Sequence, residues 1–132
     1  MSKLEAVITK IDNCESLNIV SFDFSGIQLR MMGLELDKTM QIGTKVLLGI
    51  KPTSVAIAKD ISGMLSYSNQ IKTVIKSMDI GKLLCSIKLL ACENVFESII
   101  TTSSAKRMNL KVGDSVVALI KANEISIVEV LS

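Results

Sequence analysis

The segment GDSVVALIKANEISI, residues 113–127, decides the fold of this protein because the chain contains it twice. The earlier copy, GTKVLLGIKPTSVAI at residues 43–57, keeps the glycine, the apolar run and the lysine in the same order. Lys51 of the earlier copy therefore corresponds to Lys121 of the later one. Self-similarity at a fixed spacing is typical of a duplicated structural unit, so the internal repeat is the starting point for predicting the architecture.

The beginnings of the two units also correspond. EAVITKID at residues 5–12 matches KTVIKSMD at residues 72–79. The offset rises from 67 residues there to 70 residues at the later segments, so the second unit has gained three residues between them. A duplication with one variable loop explains this pattern. We predict two tandem modules, residues 1–65 and residues 66–132, called below the first and second repeats.

Alternating apolar and polar residues predict β-strands within each repeat. In the second repeat, LLCSIKL (83–89) and VFESII (95–100) both alternate, and ACEN (91–94) between them is typical of a turn. The alternative is one amphipathic helix across residues 83–99, but the turn residues in its middle favour a hairpin. SVVALIK (115–121) is apolar on both faces, which predicts a strand that is buried on both.

A module of about 65 residues rarely has enough interior to bury both faces of its strands. The second face is therefore expected to pack on the other repeat or on another subunit, which predicts a homo-oligomer. Short strands and a short helical turn near SSAKRMNL (103–110) predict an all-β fold of two tandem five-stranded OB-like barrels, each with a short helical turn. The Ser-, Gly- and Asn-containing segment AKDISGMLSYSNQ (58–70) is predicted to connect the modules.

The composition excludes several classes of protein. The chain has no histidine, which removes the usual general base and the commonest metal ligand. No acid, base and nucleophile set stands out, so no enzyme and no metal site is predicted. The net charge of +2 and the few aromatic residues (three Phe, one Tyr, no Trp) do not suit a nucleic-acid-binding surface.

Cysteine usage and hydropathy predict the compartment. Cys14, Cys85 and Cys92 are odd in number and form no CxxC motif, which is typical of small apolar residues in a reducing environment. The sequence contains neither the apolar core of a signal peptide nor an apolar run of membrane-spanning length. We therefore predict a cytoplasmic protein without a membrane partner.

Three polar segments are candidates for function. TTSS (101–104) precedes the predicted helical turn, KANE (121–124) follows a buried strand, and SYSNQ (66–70) lies in the connector. Each has an ordinary explanation, as a helix cap, a solvated hairpin loop and a linker. Together they supply hydroxyls, backbone N–H groups and one lysine, a set that suits the binding of a small oxyanion but not its chemical conversion.

These segments resemble a known family. ITTSSAKRMNLKVGDSVVALIKANEISI (100–127) resembles the second half of a Mop module, the TOBE-type molybdate-binding repeat of molbindins, molybdate-responsive regulators and molybdate transporter ATPases. The family pattern is a TxxS pair, an LGLKxG loop and a strand that ends in IKAS. Thr101 and Ser104 fit the pair, MNLKVG fits the loop and IKAN fits the strand end. SYSNQI (66–71) resembles the SARNQL opening of the module.

The resemblance implies that a molybdate or tungstate ion is bound at contacts between modules. It assigns Thr101, Ser104 and Lys121 to the ligand, with Ser66 and the backbone N–H of Ala122 or Asn123 completing the shell. The sequence departs from the family pattern in each repeat. Ser68 is also assigned to the oxyanion site, but it replaces the arginine of SARN and so removes a strong charge-assisted donor.

The first repeat departs further from the family pattern. Met31 and Leu34 are expected at the positions of the TxxS pair, so Lys51 lacks hydroxyl partners. Lys51 and Ser54 form a possible second site, in which Pro52 removes one N–H donor. The resemblance implies a cytoplasmic dimer or trimer that stores or buffers molybdate or tungstate. The alternative is an oxyanion-sensing regulatory or interaction module that acts on a transport or transcription partner.

Overall fold

The computed structural model describes residues 1–132 and contains ten β-strands and one α-helix. The only α-helix, α1 at Thr102–Arg107, has six residues, and no helix has the length and apolar character needed to cross a membrane. One short 3-10 turn follows the fourth strand at Pro52–Ser54, and another follows the ninth at Ala122–Glu124. The strands are β1 (Ser2–Cys14), β2 (Leu17–Phe24), β3 (Ile27–Gly33), β4 (Lys45–Ile50), β5 (Ala56–Ala58), β6 (Asn69–Ile80), β7 (Leu84–Ala91), β8 (Asn94–Thr101), β9 (Ser115–Ile120) and β10 (Ile125–Val130).

The strands form two antiparallel sheets of five strands each. Their orders are β10-β4-β1-β2-β3 and β5-β9-β6-β7-β8, so the same arrangement occurs twice. This result confirms the predicted all-β, OB-like class with two five-stranded units. The helical turn predicted near residues 103–110 is α1, which occurs only in the second repeat, whereas each repeat has a 3-10 turn directly after Lys51 or Lys121.

The two repeats exchange their last strands. β5, from the first repeat, pairs with β9 of the second through the contacts Ala56 to Leu119 and Ala58 to Val117. β10, from the second repeat, pairs with β4 of the first, where Ile125 lies opposite Ile50. One continuous core of 25 buried residues extends through both sheets. The boundary between residues 65 and 66 stays a prediction about the repeated sequence, and the sheets share strands across it.

The predicted hairpin in the second repeat is confirmed. β7 and β8 pair in register from Leu84 and Thr101 to Ala91 and Asn94. Cys92 and Glu93 form the connection, and both have positive φ values, 53° and 66°. Two successive residues with positive φ make the tight turn whose twist matches that of the flanking strands. A continuous helix across residues 83–99 is therefore wrong.

The register of the hairpins corrects one expectation about the first repeat. Val20 pairs with Met31 just as Ile87 pairs with Ser98, so Met31 corresponds to Ser98 and not to Thr101. The three additional residues of the second repeat lie after β8, where they allow α1 to form. Leu34 then corresponds to Thr101, so the first repeat still lacks the hydroxyl.

Buried polar side chains fix the two sheets to each other. Asn69, which is fully buried, accepts a hydrogen bond from the backbone N of Arg30 (2.7 Å) and donates to the carbonyls of Arg30 (2.9 Å) and Ile120 (3.1 Å). Ser98 is also buried and donates to the carbonyl of Val55 (2.7 Å). A buried polar group that keeps its partners stabilises one arrangement and makes others costly. Asn69 and Ser98 therefore fix the second sheet against the first repeat.

Candidate functional site

Thr101 and Ser104 form a hydroxyl pair at the start of α1. The Thr101 Oγ1 accepts a hydrogen bond from the Ser104 backbone N (3.1 Å) and donates one to the Ser104 Oγ (2.9 Å). Thr101 is therefore the helix cap, as local sequence alone predicts. The hydroxyl proton of Thr101 is used within the pair, whereas that of Ser104 has no acceptor in the chain and can be donated to a ligand.

Cationic side chains surround this hydroxyl pair. Lys82 and Lys106 line one cleft together with Thr101, and the Arg107 Nη2 lies 3.4 Å from the Ser104 Oγ. Sequence reasoning missed all three cations. The spacing of Arg107 three residues after Ser104 could have indicated that contact, because such residues are neighbours on a helix. Lys82 gave no comparable signal, since it lies in the distant turn between β6 and β7.

The first turn of α1 rests on the turn that joins β6 and β7. Thr102 is buried, its backbone N donates to the carbonyl of Leu83 (2.8 Å), and its Oγ1 donates to the carbonyl of Gly81 (2.9 Å). A Cβ atom at Gly81 would lie 2.7 Å from the Leu84 carbonyl oxygen, so this tight turn requires glycine. The orientation of the hydroxyl pair therefore depends on the β6–β7 turn.

The other end of α1 is held by a lysine from the first repeat. The Lys59 Nζ donates to the carbonyl oxygens of Asn109 (2.9 Å) and Met108 (3.3 Å), and it lies 3.1 Å from the Asp114 Oδ2. The backbone N of Lys111 donates to the same carboxylate (2.9 Å). These two partners, the Lys111 N–H first, hold the pKa of Asp114 below its ordinary value. Lys59 directly follows the exchanged strand β5, so strand exchange brings it to α1.

Lys51 and Lys121 occupy equivalent backbone positions. Lys121 precedes the 3-10 turn Ala122–Glu124 with φ −70° and ψ 150°. Lys51 precedes the turn Pro52–Ser54 with φ −71° and ψ 133°. Both side chains are exposed. This near identity confirms that the two lysines correspond.

Ser68 lies at the same end of its sheet as Lys121. Asn69 pairs with Ile120 at the end of the β6–β9 ladder. Ser68 precedes the first of these residues and Lys121 follows the second. Ser66 lies two residues further back in the connector, and both serines are exposed. The predicted ligands therefore include one group at this end, consisting of Ser66, Ser68, Lys121, Ala122 and Asn123.

The hydroxyl pair lies at the opposite end of β6. Thr101 pairs with Leu84, next to the pair formed by Ile80 and Cys85. Asn69, beside Lys121, begins β6, and Ile80 ends it. These ends are separated by about 35 Å of extended strand. One chain therefore does not bring Thr101 and Ser104 to Lys121.

The possible second site is a cleft between the two 3-10 turns. Lys51 and Ser54 line this cleft together with Asn123, Ser126 and Glu124. Asn123 thus contributes to the surroundings of Lys51 within the same chain. The carboxylate of Glu124 disfavours the binding of a dianion in this cleft, because like charges repel. No group of three or more His, Cys, Asp or Glu side chains that could hold a metal ion occurs in the structure.

Comparisons with known proteins agree with this architecture. Residues 65–127 match the sequence profile of the TOBE domain, which supports the TOBE-type resemblance of the second repeat. The fold is similar to a crystal structure of the cytoplasmic molybdate-binding protein ModG with molybdate bound, with a TM-score of 0.89 and 21% identity. That similarity covers 95% of this chain and 93% of the other, and it establishes a common fold. No curated protein sequence matches the chain.

Proposed function

We propose that this protein binds molybdate or tungstate in the cytoplasm and serves to store or buffer it. The observation that carries this proposal is the Thr101–Ser104 hydroxyl pair, which is held on a defined support among Lys82, Lys106 and Arg107. Hydroxyl groups donate hydrogen bonds to the oxygens of an oxyanion, and the cations offset its charge. The TOBE match and the fold shared with a molybdate-binding protein support the same ligand class.

The complete site is proposed to form between two copies of the chain. One copy supplies Thr101 and Ser104, and another supplies Lys121 with the N–H of Ala122 or Asn123 and the hydroxyls of Ser66 and Ser68. The separation of these two groups along β6 supports this arrangement, because they lie at opposite ends of the strand. A homo-oligomer, either a dimer or a trimer, is then required for binding.

The two repeats are proposed to contribute unequally. The first repeat has Leu34 in place of the Thr101 hydroxyl, and its lysine, Lys51, shares a cleft with the Glu124 carboxylate. We therefore assign Lys51 and Ser54 to a weaker site. Ser68 lowers the affinity of the main site as well, since a serine donates a weaker hydrogen bond than the arginine of the family pattern.

Isothermal titration tests the ligand class. Molybdate and tungstate should each release or absorb heat on binding and should compete with one another, because both are tetrahedral dianions of nearly the same size. Sulfate and phosphate should bind more weakly. The absence of any binding heat at near-millimolar molybdate and tungstate would refute the proposal.

Two matched variants test the assignment of the lysines. Lys121→Ala should reduce molybdate affinity by at least about tenfold, the equivalent of one lost ionic contact. Lys51→Ala changes the same residue type at the equivalent backbone position and should have a much smaller effect. Equal losses in both variants would show that the two repeats contribute equally.

A regulatory role is the second candidate, because Ser68 and Glu124 both point to weak binding. In this case the protein would sense the oxyanion and act on a transport or transcription partner. Light scattering with and without molybdate separates the two roles. An oligomer that does not depend on ligand favours storage, whereas a dimer that forms or dissociates with ligand favours regulation.

A further inference from the structure

The second repeat carries an exposed apolar row on the outward face of its sheet. Val74 on β6 lies opposite Leu90 on β7, which in turn lies opposite Val95 on β8. Their side chains are 40%, 37% and 39% exposed, respectively, so three neighbouring strands present apolar groups to water at the same level. We call these three residues the apolar row.

The first repeat has polar residues at two of the three equivalent positions. Val7 on β1 corresponds to Val74, but it lies opposite Asp23 on β2, which lies opposite Gln28 on β3, and Lys45 follows on β4. We call Asp23, Gln28 and Lys45 the polar row. Both repeats form the same five-stranded sheet. The fold therefore does not require apolar residues at the positions of Leu90 and Val95, and their exposure in the second repeat needs another explanation.

The apolar row borders a groove on this face of the second repeat. This groove has a volume of about 740 Å³, and Val74 and Leu90 line it together with Ile61 and Val117. The corresponding hollow in the first repeat has about 190 Å³ and is lined by charged residues, among them Glu5, Asp23 and Lys45. An apolar patch on a soluble protein that is not needed for the fold indicates an interaction surface.

We propose that a second copy of this chain covers this groove, and that this contact helps to complete the oxyanion site. The inference rests on the proposed function, in which the hydroxyl pair of one copy meets Lys121 of another. The apolar row lies on the outward face of β6, the strand whose two ends carry the two halves of the site.

The charges of the groove and of the whole chain fit a contact between identical copies. Lys72, Asp60 and Glu93 line the groove, so it offers both signs of charge to a partner that carries the same set. The net charge is only +2, so repulsion between copies is weak. A basic or an acidic partner would be expected to meet a groove of one sign instead.

A pair of matched variants tests the surface in the absence of oxyanion. Val95→Lys places a charge in the apolar row, whereas Gln28→Lys places the same charge at the equivalent position of the polar row. Light scattering over a concentration series should show that Val95→Lys dissociates at a concentration at least about tenfold higher than wild type. Gln28→Lys should associate like wild type. A wild-type monomer at all concentrations, or identical behaviour of the two variants, would overturn the inference.

The native cysteines provide an independent measurement. Cys92 lines the groove, Cys14 is exposed at the end of β1, and Cys85 is buried. The rate of maleimide labelling of Cys92 relative to Cys14 should fall as the oligomer forms, and Val95→Lys should restore it. A ratio that stays constant across the association range would contradict coverage of the groove. This readout remains informative even if one variant folds poorly.

A molybdate titration of the wild-type protein distinguishes failure of this inference from failure of the proposed function. If association depends on Val95 but no oxyanion binds, the proposed function fails while the interaction surface stands. If molybdate binds and Val95→Lys associates normally, the surface is wrong while the function stands. If both hold, Val95→Lys should also reduce molybdate affinity, because the two halves of the site would no longer be joined.

Discussion

Replacement of Lys59 by methionine should weaken the contacts that hold the C-terminal end of α1. The ammonium donates to the carbonyl oxygens of Asn109 and Met108 and pairs with Asp114. Methionine keeps most of the length and the apolar part of the side chain but cannot donate. The change therefore removes the contacts at the end of α1 without opening a large cavity.

The expected loss of stability follows from the energy of the lost hydrogen bonds and from the exposure of the Lys59 side chain. A hydrogen bond from a charged donor typically contributes about 1.5–3 kcal/mol, and two carbonyl groups lose such a donor here. The Lys59 side chain is 25% exposed, so water can replace part of the loss. We expect the free energy of unfolding to fall by about 2 kcal/mol, which corresponds to roughly 4–8 °C in Tm for a chain of this size.

Urea unfolding and amide hydrogen exchange would measure this effect. The amides of Met108 and Leu110, which close the end of α1, should exchange faster in Lys59→Met, whereas those of the strands should change less. Lys10→Met is a suitable control, because Lys10 forms an exposed ion pair with Asp12 and its loss should hardly change stability. Wild-type stability and unchanged exchange in Lys59→Met would refute the role of this contact.

Three further changes test other parts of the structure. Gly81→Ala should destabilise the protein by about 1 kcal/mol or more in urea unfolding, since the new Cβ would meet the Leu84 carbonyl at 2.7 Å, and an unchanged midpoint would contradict the tight turn. Asn69→Leu should cost about 3 kcal/mol in the same assay, because buried backbone groups lose their partners; a loss below about 1 kcal/mol would show that they find others. The hydrogen bond from Ser86 and the charge of Lys88 lower the pKa of Glu97. This stabilisation is complete above the unfolded-state pKa of about 4.3 and is lost as pH falls through the lower folded-state value, so Ser86→Ala should weaken the acid dependence of the unfolding midpoint.

Local patterns in the sequence predict the strands but not their exchange. The alternation in β7 and β8 and the turn residues between them predict the hairpin, because side-chain periodicity records which face is buried. The sequence pattern does not predict which strand pairs with β10. β4 and β9 end in nearly the same sequence, so either could accept the strand, and periodicity contains no information about which one does.

The candidate site was likewise predicted where it depends on a local motif, but not where it depends on residues that are distant in the sequence. The motif identified Thr101, Ser104 and Lys121 from their spacing, and the structure confirms the helix cap and the equivalence of the two lysines. Thr101, Ser104 and Lys121 lie close together in the sequence, but the structure places the hydroxyl pair and Lys121 at opposite ends of β6. The motif did not predict this separation. The contact of Lys59 with Asp114 spans 55 residues and depends on strand exchange, so no local pattern could reveal it.

Strand exchange also has a consequence for the biosynthesis of the protein. β1 to β4 can pair as soon as they leave the ribosome, but the outer edge of β4 receives its partner only when residues 125–130 have been made. Until then the nascent chain presents an open strand edge, the kind of surface that pairs with other chains. Most of the polypeptide must therefore be translated before its first sheet can close, so early termination would leave an aggregation-prone fragment.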